Sequence, residues 1–561
     1  MRAPLANILL DTTNSISRRL SVWEKELKND FDKDFLLEGI RCGFKISDLV
    51  DYSVVKDVEV NNHPSALRYG DLVEKELVKQ IEFHHYEKCQ IKPTVVSPLG
   101  AILKDSGEVR IIHDGSRPLG EAMNNYSELY SVKYQTLQDA YTISKPNMYL
   151  AKVDLKAAYR SVAIHPQDYA LTGIKWKFSG EDKESYLIDK RLPFGARQGC
   201  NIFHRLSQSV KRMMQRMGYN NIVCYLDDFF IAEDSFEKCQ EVQQVLILLL
   251  GNLGFYVSWN KVLGPCKKLT FLGIVIDTEN CSLSLDAEKL EKLKYKLEKF
   301  RLRKRAKKRQ LQSLVGILNW ACQAVRGGRF FLRRILDVMN SLKQANHKAK
   351  LSQEFMKDVH WWLTFLDTFN GVVYYRVADK LVVHTDACNE GAGAFCNGDW
   401  IYSNWAEDCK PAVNLHINYK EVLAVIIAAR RWGETWKNTE VTVCTDSTVT
   451  KAIINKGTCK NPYVMSALRE LFCSMVKYDF KLHAIHIPGV LNEIPDSISR
   501  LHDPYQLLRL NILLNNWFHH PFYSFDLKLH MSSRSLQVLL RIWYGINCKK
   551  KFLNIEQQHS R

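Results

Sequence analysis

Apolar residues follow two periods along this chain, and the changes between them mark out its elements. Residues 1 to about 80 are mixed helical and polar, with a turn at Asn61-Asn-His-Pro64. Leu72 to Phe83 predicts a charged amphipathic helix. Val95 to Leu103 reads as a strand with Pro98 near its start, Lys104-Asp-Ser-Gly107 as a turn, and Val109 to His113 as the returning strand of a hairpin. Because Asp105-Ser106-Gly107 sits between two short strands, turn chemistry accounts for it better than an aspartic-protease signature. Tyr149 to Asp154 is an apolar strand ending in a carboxylate. Asn221 to Ala232 is a strand, a two-carboxylate turn and a strand, and Leu269 to Asp277 is a further strand pair. From Asp286, a candidate N-cap, the period becomes helical: Leu290, Leu293, Leu297 and Phe300 share one face. Leu311, Leu314, Val315 and Leu318 share another on a second helix, which Gly327-Gly328 is expected to end. Strands return at Lys380 to Thr385, and strands alternate with helices to about residue 500. The last stretch is apolar and aromatic, then basic, and carries no readable motif.

A length of 561 residues exceeds what one core holds, so about three or four domains are expected. The net charge of +17 favours a polyanionic partner, nucleic acid first. The 15 cysteines are scattered without Cys-x-x-Cys spacing, which gives no zinc-ribbon signature and reads as reduced and intracellular. Ala6 to Leu10 is too short for a signal peptide, and Val245–Leu250 and Val422–Ala429 are too short to span a bilayer. The expectation is an intracellular protein, cytoplasmic or nuclear or both, without a membrane partner.

Asp227 and Asp228 form a tight turn between apolar strands, and Asp154 ends a third. Aspartates are common in hairpin turns, so this pair alone would leave the reading open. Phosphoryl transfer on two hard cations also requires clustered carboxylates, whose oxygens magnesium prefers. The surrounding residues decide between them. Val153-Asp-Leu-Lys-Ala-Ala-Tyr159, Leu192-Pro-Phe-Gly195, Tyr225-Leu-Asp-Asp228 and Phe271-Leu-Gly273 resemble, in order and spacing, the motifs of reverse transcriptases. Val95-Val-Ser-Pro-Leu-Gly100 and Arg110-Ile-Ile-His-Asp114 resemble that family's fingers. The resemblance implies that Asp154, Asp227 and Asp228 bind two magnesium ions, with manganese the alternative. It implies that Arg110 and Lys104 contact the incoming triphosphate, and that Tyr159 is a steric gate selecting deoxynucleotides. Phe194, Gly195 and Gln198 would line the nucleotide. After Gly195 this chain reads Ala-Arg-Gln-Gly-Cys200, where relatives usually carry an Ala-Pro or Ser-Pro pair. The basic run Arg301, Arg303, Lys304, Arg305, Lys307, Lys308 and Arg309 falls where the family has its duplex-gripping thumb. A nuclear-import signal and a solvated helix end remain open for it.

A second carboxylate series comes later in the chain. Asp386 lies near a strand end, Glu421 in the first turn of a helix opened by Tyr419 with Val422, Val425 and Ala429 on its apolar side, and Asp446 after another strand. His486, Asn492 and Asp496 close it. This order resembles ribonuclease H. That implies a mixed five-stranded sheet with helices, two magnesium ions on Asp386, Glu421, Asp446 and Asp496, and a mobile-loop role for His486. The implied partners are an RNA template, a DNA primer, RNA–DNA hybrid and deoxynucleoside triphosphates.

The Ser-Pro-Leu-Gly and Arg-Ile-Ile-His-Asp-Gly-Ser segments and the His-Ile-Pro-Gly…Asp-Ser-Ile-Ser-Arg ending resemble DIRS-type retrotransposons, which encode a tyrosine recombinase. No recombinase, protease or integrase set is read here. The expected fold class is α+β multidomain: a right-hand polymerase of fingers, palm and thumb, then a ribonuclease H-like α/β domain. Residues 1–70 are an unassigned extension, 71–277 fingers and palm, 278–378 a helical, basic thumb or connection, 379–502 the nuclease, and 503–561 an unassigned tail. The competing reading is an inactive or domesticated nucleic-acid-binding protein derived from such an element.

Overall fold

The computed structural model describes residues 16–104 and 107–518. Asp105, Ser106, the Ala6–Leu10 run and most of the C-terminal stretch lie outside the described residues. The chain divides into two compact units on either side of Ser282–Leu283.

In the first unit, four strands form the central sheet in the order Leu263–Cys266, Tyr149–Asp154, Asp228–Glu233, Ile222–Tyr225. Alternate side chains of a strand face opposite ways. Phe229 and Ile231 join the core with the helices Gly199–Arg216 and Phe236–Asn252, whereas the Phe230 ring lies 5.0 Å from that of Phe271. Both faces of the strand are therefore buried, which rules out polar alternation in its sequence. Phe271 and Ile274 pair across a two-residue turn whose Leu272 and Gly273 both have positive φ (46° and 84°), a backbone that matches the twist of a hairpin.

A five-stranded sheet runs Val58–Glu59, Val95–Val96, Gly173–Trp176, Ser185–Asp189, Tyr86–Cys89. The single strand expected over Val95–Leu103 is divided. Pro98 has no N–H to give a ladder, and beyond it Leu99–Leu103 leaves that sheet to pair with Val109–His113 in a separate hairpin.

The unassigned N-terminal region contributes to this unit's core. Helices Leu20–Glu26 and Lys33–Cys42 bury Trp23, Leu36 and Ile40 with the palm-like helices, and the Trp23 indole N–H donates to Leu253 O at 3.0 Å. Between the helices, Asp30 accepts two hydrogen bonds from Arg212 (2.8 and 2.7 Å), and Asp32 takes the Arg205 guanidinium.

The second unit opens with helix Ala287–Arg301, capped as expected by Asp286, which accepts the Lys289 N–H at 2.9 Å. The next helix, Lys308–Ala321, ends before the position expected from the sequence. Gly327-Gly328 does not stop it; Gly327 sits at φ 82° against the Phe472 ring, where a Cβ would lie 2.1 Å from Cζ. The basic run is not one helix end either. Arg301 closes one helix, Arg305–Lys307 is a strand paired with Lys348–Lys350, and Lys308 opens the next helix. An aromatic seam, with Phe331 stacked on Trp361 at 4.1 Å and Phe330 on Phe472 at 5.1 Å, joins the turn Gly328–Phe331 and helix Gln353–Phe365 to helix Pro462–Lys477 of the nuclease-like segment. The thumb-like and nuclease-like segments thus share one unit.

The sheet of that segment is the mixed five-stranded one that the resemblance to ribonuclease H implies, in the order Asp399–Asn404, Gly391–Cys396, Asp379–Ala387, Thr439–Thr445, Lys481–His486. Its first three strands are antiparallel and its last two run parallel. Helix Ile417–Trp432 buries Val422, Val425 and Ala429 in the core beneath the sheet. It begins before Tyr419, because His416 Nδ1 accepts the Asn418 N–H at 3.2 Å and caps it. Residues 503 onward are not featureless: Pro504–Phe518 is a helix whose Leu510 packs with Phe395, Trp400 and Ile498. No helix among the described residues is long and apolar enough to cross a membrane.

Candidate active sites

The central sheet of the first unit aligns its carboxylates by register. Asp154 and Asp228 are direct cross-strand partners, and Asp227 occupies the turn after Leu226, whose φ of 52° is strained for a residue with a Cβ. Leu155 N–H donates to Asp227 O at 3.1 Å and Ser258 N–H to Asp154 O at 2.8 Å, so the backbone fixes both carriers. Burial, reinforced by Asp228 and opposed by Lys261, lifts the Asp154 carboxyl to about 6. Burial and Asp228 likewise raise Asp227 above the usual carboxylate range. Two ammonium groups face this charge. Lys261 Nζ lies 3.0 and 3.1 Å from the two Asp154 oxygens, and Lys152 Nζ lies 2.8 Å from Asp228.

Beside these carboxylates the expected nucleotide-binding residues form a stack. The Arg110 guanidinium lies 5.5 Å from the Phe194 ring centroid, and Phe194 stacks on Tyr159 at 5.2 Å and 15°. The Tyr159 hydroxyl donates to Cys200 Sγ at 3.2 Å. Gly195 (φ 130°) makes this wall possible: a Cβ there would lie 1.8 Å from the His113 carbonyl oxygen, so only glycine lets the two segments close up. The unusual loop after it is held by Asn124, which donates to Gly195 O at 2.8 Å and accepts the Arg197 N–H at 2.7 Å. Two candidates do not join the stack. Gln198 is buried, donating to Glu128 O and accepting from Asn201, both at 3.3 Å. Lys104 pairs with Glu108 at 3.0 Å.

In the second unit, Asp386, Glu421 and Asp446 bring carboxylate oxygens within 4.8 Å of one another. Burial, with Asp446 and Asp496 adding to it, lifts Asp386 to about 7, although Ser499 Oγ donates to it at 2.6 Å. Burial followed by the charges of Asp386 and Asp446 lifts Glu421 to about 9, and its Oε2 is buried without a hydrogen-bond partner. Asp496, expected as a fourth ligand, stands apart from this cluster. Arg500 Nε donates to it at 2.8 Å and Arg509 at 3.2 Å, so both its oxygens are engaged. His486 is exposed at the end of its strand, in register with Thr445. The loop after it passes the cluster, since a Cβ on Gly489 would lie 3.4 Å from Asp446 Oδ2. Asn492 is buried and donates to Thr385 O at 3.0 Å, which anchors that loop's far end.

Both donor sets fit hard divalent cations: they consist of carboxylate oxygens, one is orphaned in burial, and lysine ammonium groups sit on the other set as cations would. Lys152, Lys261, Cys200, Ser499, Arg500 and Arg509 were not singled out from the sequence. Lys152 stands two positions before Asp154 on one strand and so on the same sheet face, a signal that periodicity could have supplied. Lys261 and Arg509 reach their partners across the fold, without a local signal.

Residues 102–276 match the family described as reverse transcriptase (RNA-dependent DNA polymerase). The enzymatic polyprotein of Cestrum yellow leaf curling virus is 21% identical over 407 residues, covering 68% of this chain and 58% of the relative. The Gag-Pol polyprotein of avian reticuloendotheliosis virus is 25% identical over 159 residues, covering 27% of this chain and 14% of the relative. The chain therefore spans little more than half the length of the first relative and a small part of the second. The foamy viral protease-reverse transcriptase in complex with dsDNA superposes with TM-score 0.50 at 14% identity, covering 84% of this chain and 98% of that one. The same protein with RNA/DNA hybrid gives 0.50 at 13%, covering 83% and 63%. These likenesses establish a mixed α/β multidomain polymerase fold, and this chain carries a reverse transcriptase domain related to those of retroviral and pararetroviral polyproteins.

Proposed function

We propose that the chain is an RNA-directed DNA polymerase that also degrades the RNA strand of RNA–DNA hybrids, encoded by a DIRS-type retrotransposon. The observation that carries the reading is the convergence of Asp154, Asp227 and Asp228 on one sheet end beside the Arg110–Phe194–Tyr159 stack.

Asp154, Asp227 and Asp228 would hold two divalent cations, magnesium or manganese, which when bound neutralise charge on the attacking and leaving oxygens of nucleotidyl transfer. The residues supply the rest. Arg110 offers a fork of donors to the triphosphate, held in place by its packing on Phe194. The Tyr159 ring is fixed on one side by Phe194 and at its hydroxyl by Cys200, so it presents an immovable face to the sugar and excludes a 2′-hydroxyl. Lys261 offsets part of the burial that raises Asp154, and Lys261 and Lys152 together do the same for Asp227.

In the second unit, Asp386, Glu421 and Asp446 would form the nuclease's cation site, with Ser499 orienting Asp386. Asp496, tethered by Arg500 and Arg509, stands ready at its edge. His486 at the open rim would serve departure of the product. RNA template, DNA primer and hybrid are recognised by backbone and shape, with the 2′-hydroxyl marking the strand to be cut. Primer extension on an RNA template with deoxynucleotides tests the polymerase half. The wild-type chain extends and Asp227→Asn/Asp228→Asn does not; equal extension by both would overturn the site.

A further inference from the structure

We propose that Cys388, Glu390 and His502 form a binding site for a borderline transition-metal ion, zinc first, that clasps helix Pro504–Phe518 to the sheet of the nuclease-like segment. The site is separate from the Asp386, Glu421 and Asp446 cluster, and it stands whether or not that cluster cuts RNA.

The Cys388 sulfur, a Glu390 carboxylate oxygen and a His502 ring nitrogen lie within 4.8 Å of one another. His502 Nε2 and Glu390 Oε2 are 3.8 Å apart, too far for a hydrogen bond. Two donors on one tetrahedral zinc ion stand ~3.3–3.6 Å apart, as bonds of ~2.0–2.3 Å require. A small side-chain adjustment therefore closes the set on one ion. Thiolate and imidazole suit zinc and its neighbours, whereas magnesium takes oxygen, so the donors set this site apart from the carboxylate cluster. Three protein donors leave the fourth tetrahedral place to water.

The scaffold fixes the donors. Cys388, Asn389 and Glu390 form the turn between strands Asp379–Ala387 and Gly391–Cys396. Every carbonyl of that turn is held: Trp405 Nε1 donates to Cys388 O (3.0 Å), Lys420 Nζ to Asn389 O (2.7 Å) and the Trp405 backbone N–H to Glu390 O (3.0 Å). The Gly391 N–H donates to Cys388 Sγ at 3.2 Å, a contact that stabilises charge on the sulfur. Gly391 also admits the third donor. A Cβ there would lie 2.7 Å from Ser499 O, so its absence lets the end of helix Glu493–Ser499 lie on the turn, three residues before His502. Leu501 and Leu510, buried with Phe395 and Trp400, hold the chain on either side of His502. Cys388 is buried while Glu390 and His502 reach solvent, so an ion enters from their side. As a thiol, Cys388 donates to Ser499 O at 3.1 Å; a bound metal takes the place of that proton, which passes to solvent. Arg509 on the clasped helix donates to Asp496 at 3.2 Å, so the clasp bears on the edge of the carboxylate cluster.

The test is cobalt titration of the full chain in excess magnesium. Cobalt is the probe because a coordinated thiolate gives it a charge-transfer absorption in the near ultraviolet. The wild type should bind a single cobalt with that band, and zinc but not further magnesium should displace it. Cys388→Ser should abolish the band. His502→Gln and Glu390→Gln, at exposed side chains that the fold tolerates, should each weaken cobalt binding ~10-fold or more, since even outer-shell partners carry ~10–100-fold. Cys42→Ser/Cys473→Ser, at exposed cysteines elsewhere, should change neither band nor affinity. Hydrogen exchange in Pro504–Phe518 should slow when zinc is added to the wild type and not when it is added to His502→Gln. A folded wild type without the band overturns the site, as does a band that His502→Gln and Glu390→Gln leave at full affinity. A band lost as expected, with exchange in the helix indifferent to zinc, upholds the site and overturns the clasp.

Discussion

Asp154 and Asp228 stand directly opposite each other on antiparallel strands, the Lys261 ammonium pairing with the Asp154 carboxylate and the Lys152 ammonium with that of Asp228. Two carboxylates at such a position repel, and the lysines hold the arrangement together. Because Lys261 draws Asp154 down toward its value of about 6, Lys261→Met should raise it further. The acid limb of the pH–rate profile for primer extension then moves to higher pH, at ~10-fold in rate per unit of displacement. Lys261→Arg should leave the limb where it was. A profile that Lys261→Met does not move would contradict this electrostatic role.

The Asp386, Glu421 and Asp446 cluster predicts a pH-linked stability. Asp386 (about 7) and Glu421 (about 9) hold protons in the folded chain that the unfolded chain releases near pH ~4. The folded state is therefore favoured at low pH, and this advantage is lost as pH rises from ~4 through the folded values. Magnesium replaces those protons, so it should raise the Tm of the second unit little at pH 5 and by several degrees at pH 9, at ~2–4 °C per kcal/mol. Calorimetry with magnesium against chelator checks this; a gap independent of pH would contradict it. Cleavage should rise with pH over the same range.

The proposed sugar gate rests on Tyr159, whose hydroxyl meets Cys200. Tyr159→Ala should reduce discrimination between deoxy- and ribonucleotides by ~10-fold or more, read as the ratio of kcat/KM values. Cys200→Ala, which frees the hydroxyl but leaves the ring on Phe194, should reduce it less, and Cys200→Ser should restore it. Equal selectivity in all four proteins would remove the gate from this wall.

Trp23 is fully buried in the first unit's core. Trp23→Ala should cost ~3–5 kcal/mol in denaturant unfolding of that unit. Trp23→Phe keeps most of the packing and should cost less, mainly the ~1 kcal/mol of its hydrogen bond to Leu253. No change in the first variant would mean that the N-terminal helices are a detachable appendage.

That N-terminal region shows where the sequence stops being legible. Its helices are short, and the partners that give meaning to Trp23, Asp30 and Asp32 lie on helices far along the chain. The apolar strands that carry Asp154, Asp227, Asp228 and Asp386 announce themselves by composition, but the choice of these carboxylates as sites rested on the resemblance to reverse transcriptases and ribonuclease H. The strand pairs around Asp154, Asp227 and Asp228 and the Asp286 cap were legible from local pattern, whereas the mixed five-stranded sheet came with the resemblance to ribonuclease H. The divided strand at Pro98 was foreshadowed by the proline, but its change of sheet depends on Val58 and Gly173. The tethering of Asp496 by Arg509 depends on a helix that carried no motif. The basic run showed half of its strand pair; the other half, Lys348–Lys350, needed the register of the fold.

The most direct test of two activities on one chain is a single reaction. A DNA primer and its RNA template carry different labels, and extension and template cleavage are followed together in magnesium. The wild type should extend the primer and cut the template, Asp227→Asn/Asp228→Asn should cut without extending, and Glu421→Gln should extend without cutting. Loss of both activities in either variant, or of neither, would contradict two separate carboxylate sites.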